Sequence, residues 1–422
     1  MINRKTPEPL HIIIIGGGPA GSACGLALLK LAAQMKRAVK VTLLEGKQFA
    51  GEQHYNQCVG VLSNPLPDLM ERELLVPFPT VLTQDLITGY TLHGDREKLP
   101  IEDDGEPSAA LRRVQYDGYM LESAMERGVQ VLPARATYIE FHEGGVIVYS
   151  DSGSVEGDVL VGAFGMDDGS AAFFSRQTKY EPPQALSSVV TKYHPGIKPM
   201  DSFGKHIHAF LPKHPRIEFG GITPKGDHLT INIAGRNVDA PLMSDFLKQP
   251  VVRDALPNFE VARQNNPSDL VFYKGRFPCS LARNYYGNRF VMIGDAAGLV
   301  RSFKGKGVTA AVQTGIRAAE TIISVGFSGA AFHDHYRKAN EDLISDMSYG
   351  RAMRRVVILM ARSGMIDAVI RAARKEPRLR RALFGAVSGH ESYRTVWGDS
   401  LAPASLIAVL GAILRRRSQK SF

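Results

Sequence analysis

Three closely spaced glycines near the N-terminus form the first set of residues that could hold a ligand. They stand in the pattern Gly16-x-Gly18-x-x-Gly21, directly after the apolar run His11–Ile15. In such a loop the first glycine permits a tight turn, the second lets the backbone approach a pyrophosphate, and the third lets a helix pack on the preceding strand. The pattern predicts a dinucleotide-binding turn, with Ala20 among the residues that contact the dinucleotide.

A carboxylate lies at the distance along the chain that such a turn requires. Glu45 stands 24 residues after Gly21, at the end of the apolar run Val39–Leu44. A carboxylate at that strand end can accept hydrogen bonds from both hydroxyls of a ribose. The order strand, glycine turn, helix and strand indicates a βαβ unit with a parallel sheet.

A second glycine-rich region lies near residue 300. The segment Gly294–Gly298 reads Gly-Asp-Ala-Ala-Gly and follows the apolar run Phe290–Ile293. An aspartate at a strand end can bond a ribityl hydroxyl, and the start of the next helix can face the pyrimidine end of a flavin, where negative charge collects on reduction. The residues predicted to contact a flavin here are Gly294, Asp295, Gly305, Lys306, Gly307 and Val308.

The two glycine regions are about 280 residues apart and enclose the segment Arg113-x-x-Tyr116-Asp117. With these motifs the chain, over about residues 10–340, resembles the FAD-dependent geranylgeranyl reductase family within the p-hydroxybenzoate hydroxylase-like flavoproteins. The resemblance implies FAD as the cofactor and adds Arg113 to the predicted cofactor-binding residues. It also implies that Cys58-Val59-Gly60 is the loop near the flavin in reductases of prenyl chains, with Cys58 as the predicted catalytic residue.

The resemblance, together with the pattern of strands and helices, predicts an α/β fold in three parts. These are a discontinuous FAD-binding Rossmann-like domain, an inserted antiparallel β-sheet domain for the substrate, and a helical, basic C-terminal region. The expected ranges are 1–85, 108–180 and 276–330 for the FAD-binding domain, 86–107 and 181–275 for the substrate domain, and 331–422 for the helical region.

Three segments depart from the family pattern. Phe164, in the run Gly162–Gly165, replaces an aspartate that helps to hold FAD and the nicotinamide donor in the larger group. We therefore expect ferredoxin or flavodoxin, rather than NAD(P)H, to be the electron donor. In Phe219–Lys225 the tryptophan and second aromatic positions of the family's YxWxFP motif are small, which changes the expected substrate pocket. Lys306 replaces a glutamate, and its cation either favours the reduced flavin anion or points to solvent.

The cysteines and histidines leave several interpretations open. A thiol can reach a flavin ring without much bulk and can be tuned by nearby charge, whereas a lone cysteine is usually a small buried hydrophobe. Both interpretations apply to Cys58. Cys24 and Cys279 are expected to be structural, and three widely spaced cysteines are typical of a reducing compartment. The histidines show no ligand spacing, so no metal site is predicted.

The C-terminal region carries the net charge of the chain. Residues 351–422 contain 15 Lys+Arg against 4 Asp+Glu, a net of +11, so the other residues carry −2 of the total +9. Residues 401–414 are uncharged and precede three arginines. This uncharged stretch is too short to cross a bilayer. Such a helix can lie in the headgroup layer of an anionic membrane. We therefore expect a cytoplasmic protein held peripherally on the inner face of the membrane. A different interpretation is that these helices pack on the body of the protein.

No nucleic-acid partner is expected, because aromatic residues are sparse in the basic C-terminal region.

The predicted function is the flavin-dependent reduction of C=C bonds in a prenyl chain of a lipid, chlorophyll-like or quinone substrate. A flavin monooxygenase would share the FAD motifs but normally needs the aspartate that Phe164 replaces. The FAD motifs and the basic C-terminal region would also suit an electron-transfer flavoprotein acting on quinone, or a non-catalytic flavin-binding membrane module.

Overall fold

The computed structural model describes residues 8–49, 58–259, 270–301 and 307–418. Its strands, in chain order, are β1 (Leu10–Ile15), β2 (Val39–Leu44), β3 (Val61–Leu62), β4 (Thr83–Ile87), β5 (Gly89–His93), β6 (Lys98–Glu102), β7 (Ser108–Leu111), β8 (Gln130–Leu132), β9 (Ala136–Phe141), β10 (Val146–Ser150), β11 (Gly153–Gly157), β12 (Val159–Gly162), β13 (Ala185–Tyr193), β14 (His206–Phe210), β15 (Ile217–Lys225), β16 (His228–Gly235), β17 (Tyr273–Pro278), β18 (Tyr286–Gly287) and β19 (Phe290–Met292).

The helices alternate with these strands in the first half of the chain and dominate its last quarter. They are α1 (Pro19–Gln34), α2 (Leu66–Asp68), α3 (Arg113–Glu126), α4 (Asp168–Gln177), α5 (Ile197–Phe203), α6 (Ala240–Leu247), α7 (Pro250–Arg253), α8 (Gly307–Ser324), α9 (Gly329–Ala331), α10 (Glu341–Arg362), α11 (Ile366–Ala373), α12 (Pro377–Ser388), α13 (Tyr393–Ser400) and α14 (Pro403–Ser418). The observed mixture of sheets and helices confirms the predicted α/β fold class.

The first sheet has the strand order β18-β19-β12-β1-β2-β8. β1 pairs in parallel with β2 and β12, and β12 pairs in parallel with β19, so their carboxyl ends meet at one edge. The register places Ile15 beside both Leu44 and Gly162 at that edge. The segments that follow these strands therefore emerge together. They are the Gly16–Gly21 loop, Glu45, Phe164 and the Gly294–Gly298 segment.

A second sheet contains seven strands in the order β17-β13-β16-β15-β14-β5-β6. Its neighbours pair antiparallel except β14 and β5, which run parallel. One face packs on α6 through a cluster that includes Ile222, Ile231 and Phe246. The sheet thus combines strands from both segments predicted for the substrate domain, although the exact domain boundaries stay a prediction. Two three-stranded sheets, β11-β10-β9 and β3-β7-β4, complete the described strands.

The C-terminal helices pack on the second sheet. Ile366, Val369 and Ile370 of α11 share an apolar cluster with Leu92 and Leu99 of β5 and β6. The predicted helical region 331–422 is interrupted at Gly364, which adopts a φ of +68° between α10 and α11. Within the described residues no single helix has the length and apolar character to cross a membrane, whereas α13 and the part of α14 up to Leu414 meet that test only as a pair bent by 59°.

Candidate functional site

The N-terminal glycine loop combines a tightly packed turn with an open position. Gly16 has a φ of +107°, and a Cβ there would lie 2.5 Å from the carbonyl oxygen of Ala163. A Cβ on Gly21 would lie 1.9 Å from the carbonyl oxygen of Gly16. Gly18, in contrast, has ordinary extended backbone before α1, and a Cβ there would meet no protein atom within 4 Å. The loop therefore leaves space beside the start of a 16-residue helix, which fits a phosphate group.

Glu45 is held against this loop by the backbone. Its Oε2 accepts a hydrogen bond from the amide of Gly17, and its Oε1 accepts one from the amide of Lys47, both at 2.8 Å. These bonds orient the carboxylate at the carboxyl end of β2, and each oxygen keeps a second lone pair for a ribose hydroxyl. The predicted role of Glu45 is compatible with this position.

Asp295 lies just after β19, beside the start of α8. A Cβ on Gly307 would lie 3.8 Å from its Oδ1. Burial raises the pKa of Asp295 to about 6, and the positive charge of Arg113 opposes this rise. Val308 is buried in the first turn of α8. The predicted contacts Gly305 and Lys306 lie outside the described residues.

Ala20 and Gly294 meet at a close crossing of helices. A Cβ on Gly294 would lie 3.0 Å from the Cβ of Ala20. A Cβ on Gly315 of α8 would lie 2.5 Å from the carbonyl oxygen of Ala20. The amide of Gly294 donates to the hydroxyl of Thr314 at 2.9 Å. The sequence motifs did not identify Gly315 and Thr314 as residues that support the site. The small residues of this helix were the signal that could have indicated its close contact with α1.

Arg113 is fixed by an ion pair within α3. Its guanidinium donates to the fully buried carboxylate of Asp117, with the shortest distance 2.9 Å between Nη2 and Oδ1. Its Nη1 lies 3.9 Å from the Sγ of Cys58. Arg113 thus lies next to the predicted catalytic thiol, and its positive charge also acts on Asp295, the aspartate after β19.

The Cys58–Gly60 loop lies between α3, β7 and the end of β15 in the second sheet. Cys58 is exposed, so the interpretation of this residue as a small buried hydrophobe is wrong. Gly60 has a φ of +72°, and a Cβ there would lie 2.1 Å from the carbonyl oxygen of Leu111 and 2.9 Å from the Nζ of Lys225. Lys225 ends β15 and is only 4% exposed. Nothing in the sequence singled out this lysine, which is the last residue of the segment Phe219–Lys225 that departs from the family motif.

The other two cysteines are buried, as expected for structural residues. Burial raises the pKa of the Cys24 thiol to about 12, which makes this residue unreactive at neutral pH.

The altered family positions are filled by local packing. Phe164 stacks on Phe174, with ring centroids 5.3 Å apart, so an apolar cluster occupies the position of the missing aspartate. In β15, a Cβ on Gly221 would lie 2.8 Å from the Oδ1 of Asn232. A polar amide therefore lies beside the position at which the family motif has tryptophan.

One group of side chains has atoms close enough to hold a cation. His228 Nδ1 lies 2.8 Å from Asp227 Oδ1, and His194 Nδ1 lies 3.7 Å from Asp227 Oδ2. The sequence did not indicate this group, because His194 is far along the chain from Asp227 and His228. The prediction of no metal stays untested, and two of the three side chains are exposed.

Comparisons with known proteins give relatives that are reductases and other flavin-dependent enzymes. No protein-family model matches the chain. Digeranylgeranylglycerophospholipid reductase from Methanocaldococcus jannaschii is 21% identical over 330 residues, which cover 75% of this chain and 78% of the relative. The crystal structure of a geranylgeranyl bacteriochlorophyll reductase-like protein from Thermoplasma acidophilum has a TM-score of 0.66 and 16% identity, with 96% of each chain covered.

The same fold occurs in an enzyme with a different reaction. The L111Y mutant of the halogenase PltM, in complex with FAD, has a TM-score of 0.61 and 14% identity, with 94% of this chain and 87% of the halogenase covered. The fold alone therefore does not select the reaction. The sequence relative and the solved structures together confirm the predicted resemblance of this chain to the FAD-dependent geranylgeranyl reductases.

Proposed function

We propose that the protein reduces C=C bonds in the prenyl chain of a lipid, chlorophyll-like or quinone substrate, as an FAD-dependent oxidoreductase. The oxidoreductase class and FAD are confirmed by the relatives, which include a reductase in sequence and an FAD complex in structure. The prenyl substrate is the further step. It is supported by the names of the two reductase relatives.

The described residues fit FAD at the edge of the first sheet. The open space beside Gly18 suits the pyrophosphate, and the carboxylate of Glu45 suits the adenosine ribose. Arg113 and Asp295 would hold the ribityl and flavin end. When bound and reduced, FAD supplies the hydride that alkene reduction needs.

The single observation that carries the proposal is the placement of Cys58. Its exposed thiol lies 3.9 Å from the largely buried guanidinium of Arg113, on a loop that touches the second sheet through Lys225. An isolated alkene offers no carbonyl to polarise, so residues here must act by positioning the chain and excluding water. Cys58 is proposed to shape that contact between substrate and cofactor.

Ferredoxin or flavodoxin is the proposed electron donor. The packing of Phe164 against Phe174 fills the position of an aspartate that helps to hold the nicotinamide donor in the larger group. Direct reduction by NADPH is therefore expected to be slow.

Contact with an anionic membrane is proposed for the C-terminal helices. One face of α14 packs on α11 through Ala408, Val409 and Ala412. Its opposite face leaves Ile407, Leu410 and Leu414 at least 60% exposed. An apolar face followed by arginines suits the headgroup layer of a membrane. A prenyl lipid could then reach the site from the bilayer surface.

Two measurements test the proposed reaction. Mass spectrometry of prenyl lipids from cells with and without the protein should show shifts in steps of two hydrogens. Anaerobic mixing of the reduced protein with that lipid should reoxidise the flavin without oxygen. A monooxygenase or halogenase would need oxygen instead, and an electron-transfer flavoprotein would pass electrons to quinone without saturating a chain. Lipid masses that do not depend on the protein would contradict the proposal.

A further inference from the structure

Two buried titratable side chains face each other at the end of the hairpin between β15 and β16. The antiparallel register pairs Lys225 with His228 and Thr223 with Thr230, so all four side chains lie on one face of the second sheet. Each of the four is at most 4% exposed. The hydride transfer proposed for FAD uses none of them.

Lys225 lies in a positively charged environment next to the Cys58–Gly60 loop. Its pKa is lowered to about 8, chiefly by burial and also by the charges of Lys192, Arg112 and Arg113, while Cys58 opposes the shift. Among the described residues, Lys225 forms no ion pair with a carboxylate. With a pKa of about 8, this lysine holds both its protonated and its neutral form in appreciable amounts near neutral pH, whereas an ordinary lysine is almost wholly protonated.

His228 is the cross-strand neighbour of this buried lysine. Its Nδ1 lies 2.8 Å from Oδ1 of Asp227, whose carboxylate is 80% exposed. Burial lowers the pKa of His228 to about 4, with Asp227 opposing the shift and Lys225 and His194 adding to it, so the ring is neutral. In the described part of the chain, three atoms of this face are buried without a hydrogen-bond partner: the Nε2 of His228 and the hydroxyl oxygens of Thr223 and Thr230.

We propose that Lys225 donates the proton for alkene reduction and that His228, with Asp227, returns a proton to it from solvent. This inference rests on the proposed function. The reduction adds a hydride, which carries both electrons, to one alkene carbon and a proton to the other. At the second carbon an N–H bond of the Lys225 ammonium breaks and a C–H bond forms. The neutral amine then takes a proton through the imidazole, and no further oxidant or reductant is consumed.

The first test measures the lysine itself rather than turnover. FAD-loaded protein labelled with carbon-13 at the lysine ε-carbons is titrated by NMR without substrate. The Lys225 resonance is assigned by its absence in Lys225→Arg, and Lys248→Arg, at an exposed lysine paired with Asp245, serves as the control. We expect a midpoint of about 8. A midpoint closer to 10.5 than to 8 would overturn the inference.

The second test separates proton delivery from cofactor binding. Reduced protein is mixed anaerobically with a prenyl lipid, and flavin reoxidation is followed as a function of pH. We expect the wild-type rate to fall above pH 8, because the proton-carrying form of Lys225 is then lost. Lys225→Arg should slow reoxidation about 100-fold, the lower end of the range for general acid catalysis, and should lose that pH limb. FAD retention should not change.

The results distinguish the two proposals. Unchanged rates and an unchanged pH limb in Lys225→Arg would overturn the role of Lys225 and leave the reductase function standing. Failure of the wild-type protein to be reoxidised by any prenyl lipid would overturn the proposed function, and this inference with it. In His228→Gln, an unchanged first reoxidation with its pH limb retained, followed by slower later turnovers, would support the path to solvent.

Discussion

Replacement of two glycines in the N-terminal loop should separate cofactor binding from folding. Gly18 has extended backbone and open space around a Cβ, so Gly18→Ala requires no rearrangement of the protein. In Gly21→Ala the new Cβ would lie 1.9 Å from the carbonyl oxygen of Gly16, so backbone atoms must move. The first substitution fills the proposed pyrophosphate space, whereas the second distorts the turn.

The expected sizes follow from this contrast. An alanine at a compatible backbone position changes the free energy of unfolding by less than about 1 kcal/mol. Crowding the bound pyrophosphate by one methyl group should cost about 1–3 kcal/mol of binding energy. That corresponds to roughly a 5- to 150-fold weaker affinity for FAD. Gly21→Ala should lower the free energy of unfolding by about 3 kcal/mol, because the obstacle is backbone rather than a flexible side chain.

Flavin fluorescence quenching on titration of apoprotein gives the affinity, and denaturant unfolding of the same apoprotein gives the stability. Gly18→Val should abolish the yellow colour of the purified protein while leaving its unfolding midpoint near that of the wild type. If Gly18→Ala bound FAD as tightly as wild type, the pyrophosphate could not lie beside Gly18. A wild-type protein that binds no FAD would refute the cofactor assignment altogether.

Four other outcomes are expected. Arg354→Met should lower the free energy of unfolding by about 3–5 kcal/mol, because it leaves the 7%-exposed Glu218 without its ion-pair partner, and adding Glu218→Gln should restore much of the loss in a denaturant titration. Lys225→Met should raise the free energy of unfolding at pH 7 by up to about 3 kcal/mol, because it removes a buried charge. This gain should shrink as the pH rises from about 8 to 10.5, since in that range the lysine keeps its proton in the unfolded state but has lost it in the folded state. Stopped-flow mixing should show faster flavin reduction by ferredoxin or flavodoxin than by NADPH, and rapid bleaching by NADPH would contradict this. Ile407→Asp should weaken sedimentation with anionic vesicles, whereas Val81→Asp, at an exposed position elsewhere on the protein, should not.

Much of the first sheet could be predicted from the sequence because its signals are local. The run before Gly16 is β-branched and apolar, as a strand buried on both faces requires, and Ile12 to Ile14 are fully buried. The glycine spacing then places a turn and a helix after it. Strands β3 and β5 had no comparable local signal, because they pair with β7 and β14, which come from distant segments.

The site was harder to predict because its geometry depends on contacts between segments far apart in the chain. The motifs named Arg113 and Cys58 separately, but only the fold brings their side chains to 3.9 Å. Lys225 had no local signal, since a lysine beside a turn glycine is usually exposed. Its burial results from the Gly60 loop, which packs across it from another sheet.

The C-terminal region shows how one composition can serve two purposes. Its arginines suggested a membrane-binding tail, yet Arg354 pairs with buried Glu218 and the Asp367 carboxylate accepts from the amides of Arg96 and Glu97 at the β5–β6 turn. The helices that make these contacts therefore stabilise the second sheet. The last helix keeps an exposed apolar face, with Ile407 the most exposed of its described large side chains. Removal of residues 401–422 should thus affect delivery of a lipid, whereas removal from residue 351 onward should unfold the sheet against which the substrate is proposed to bind.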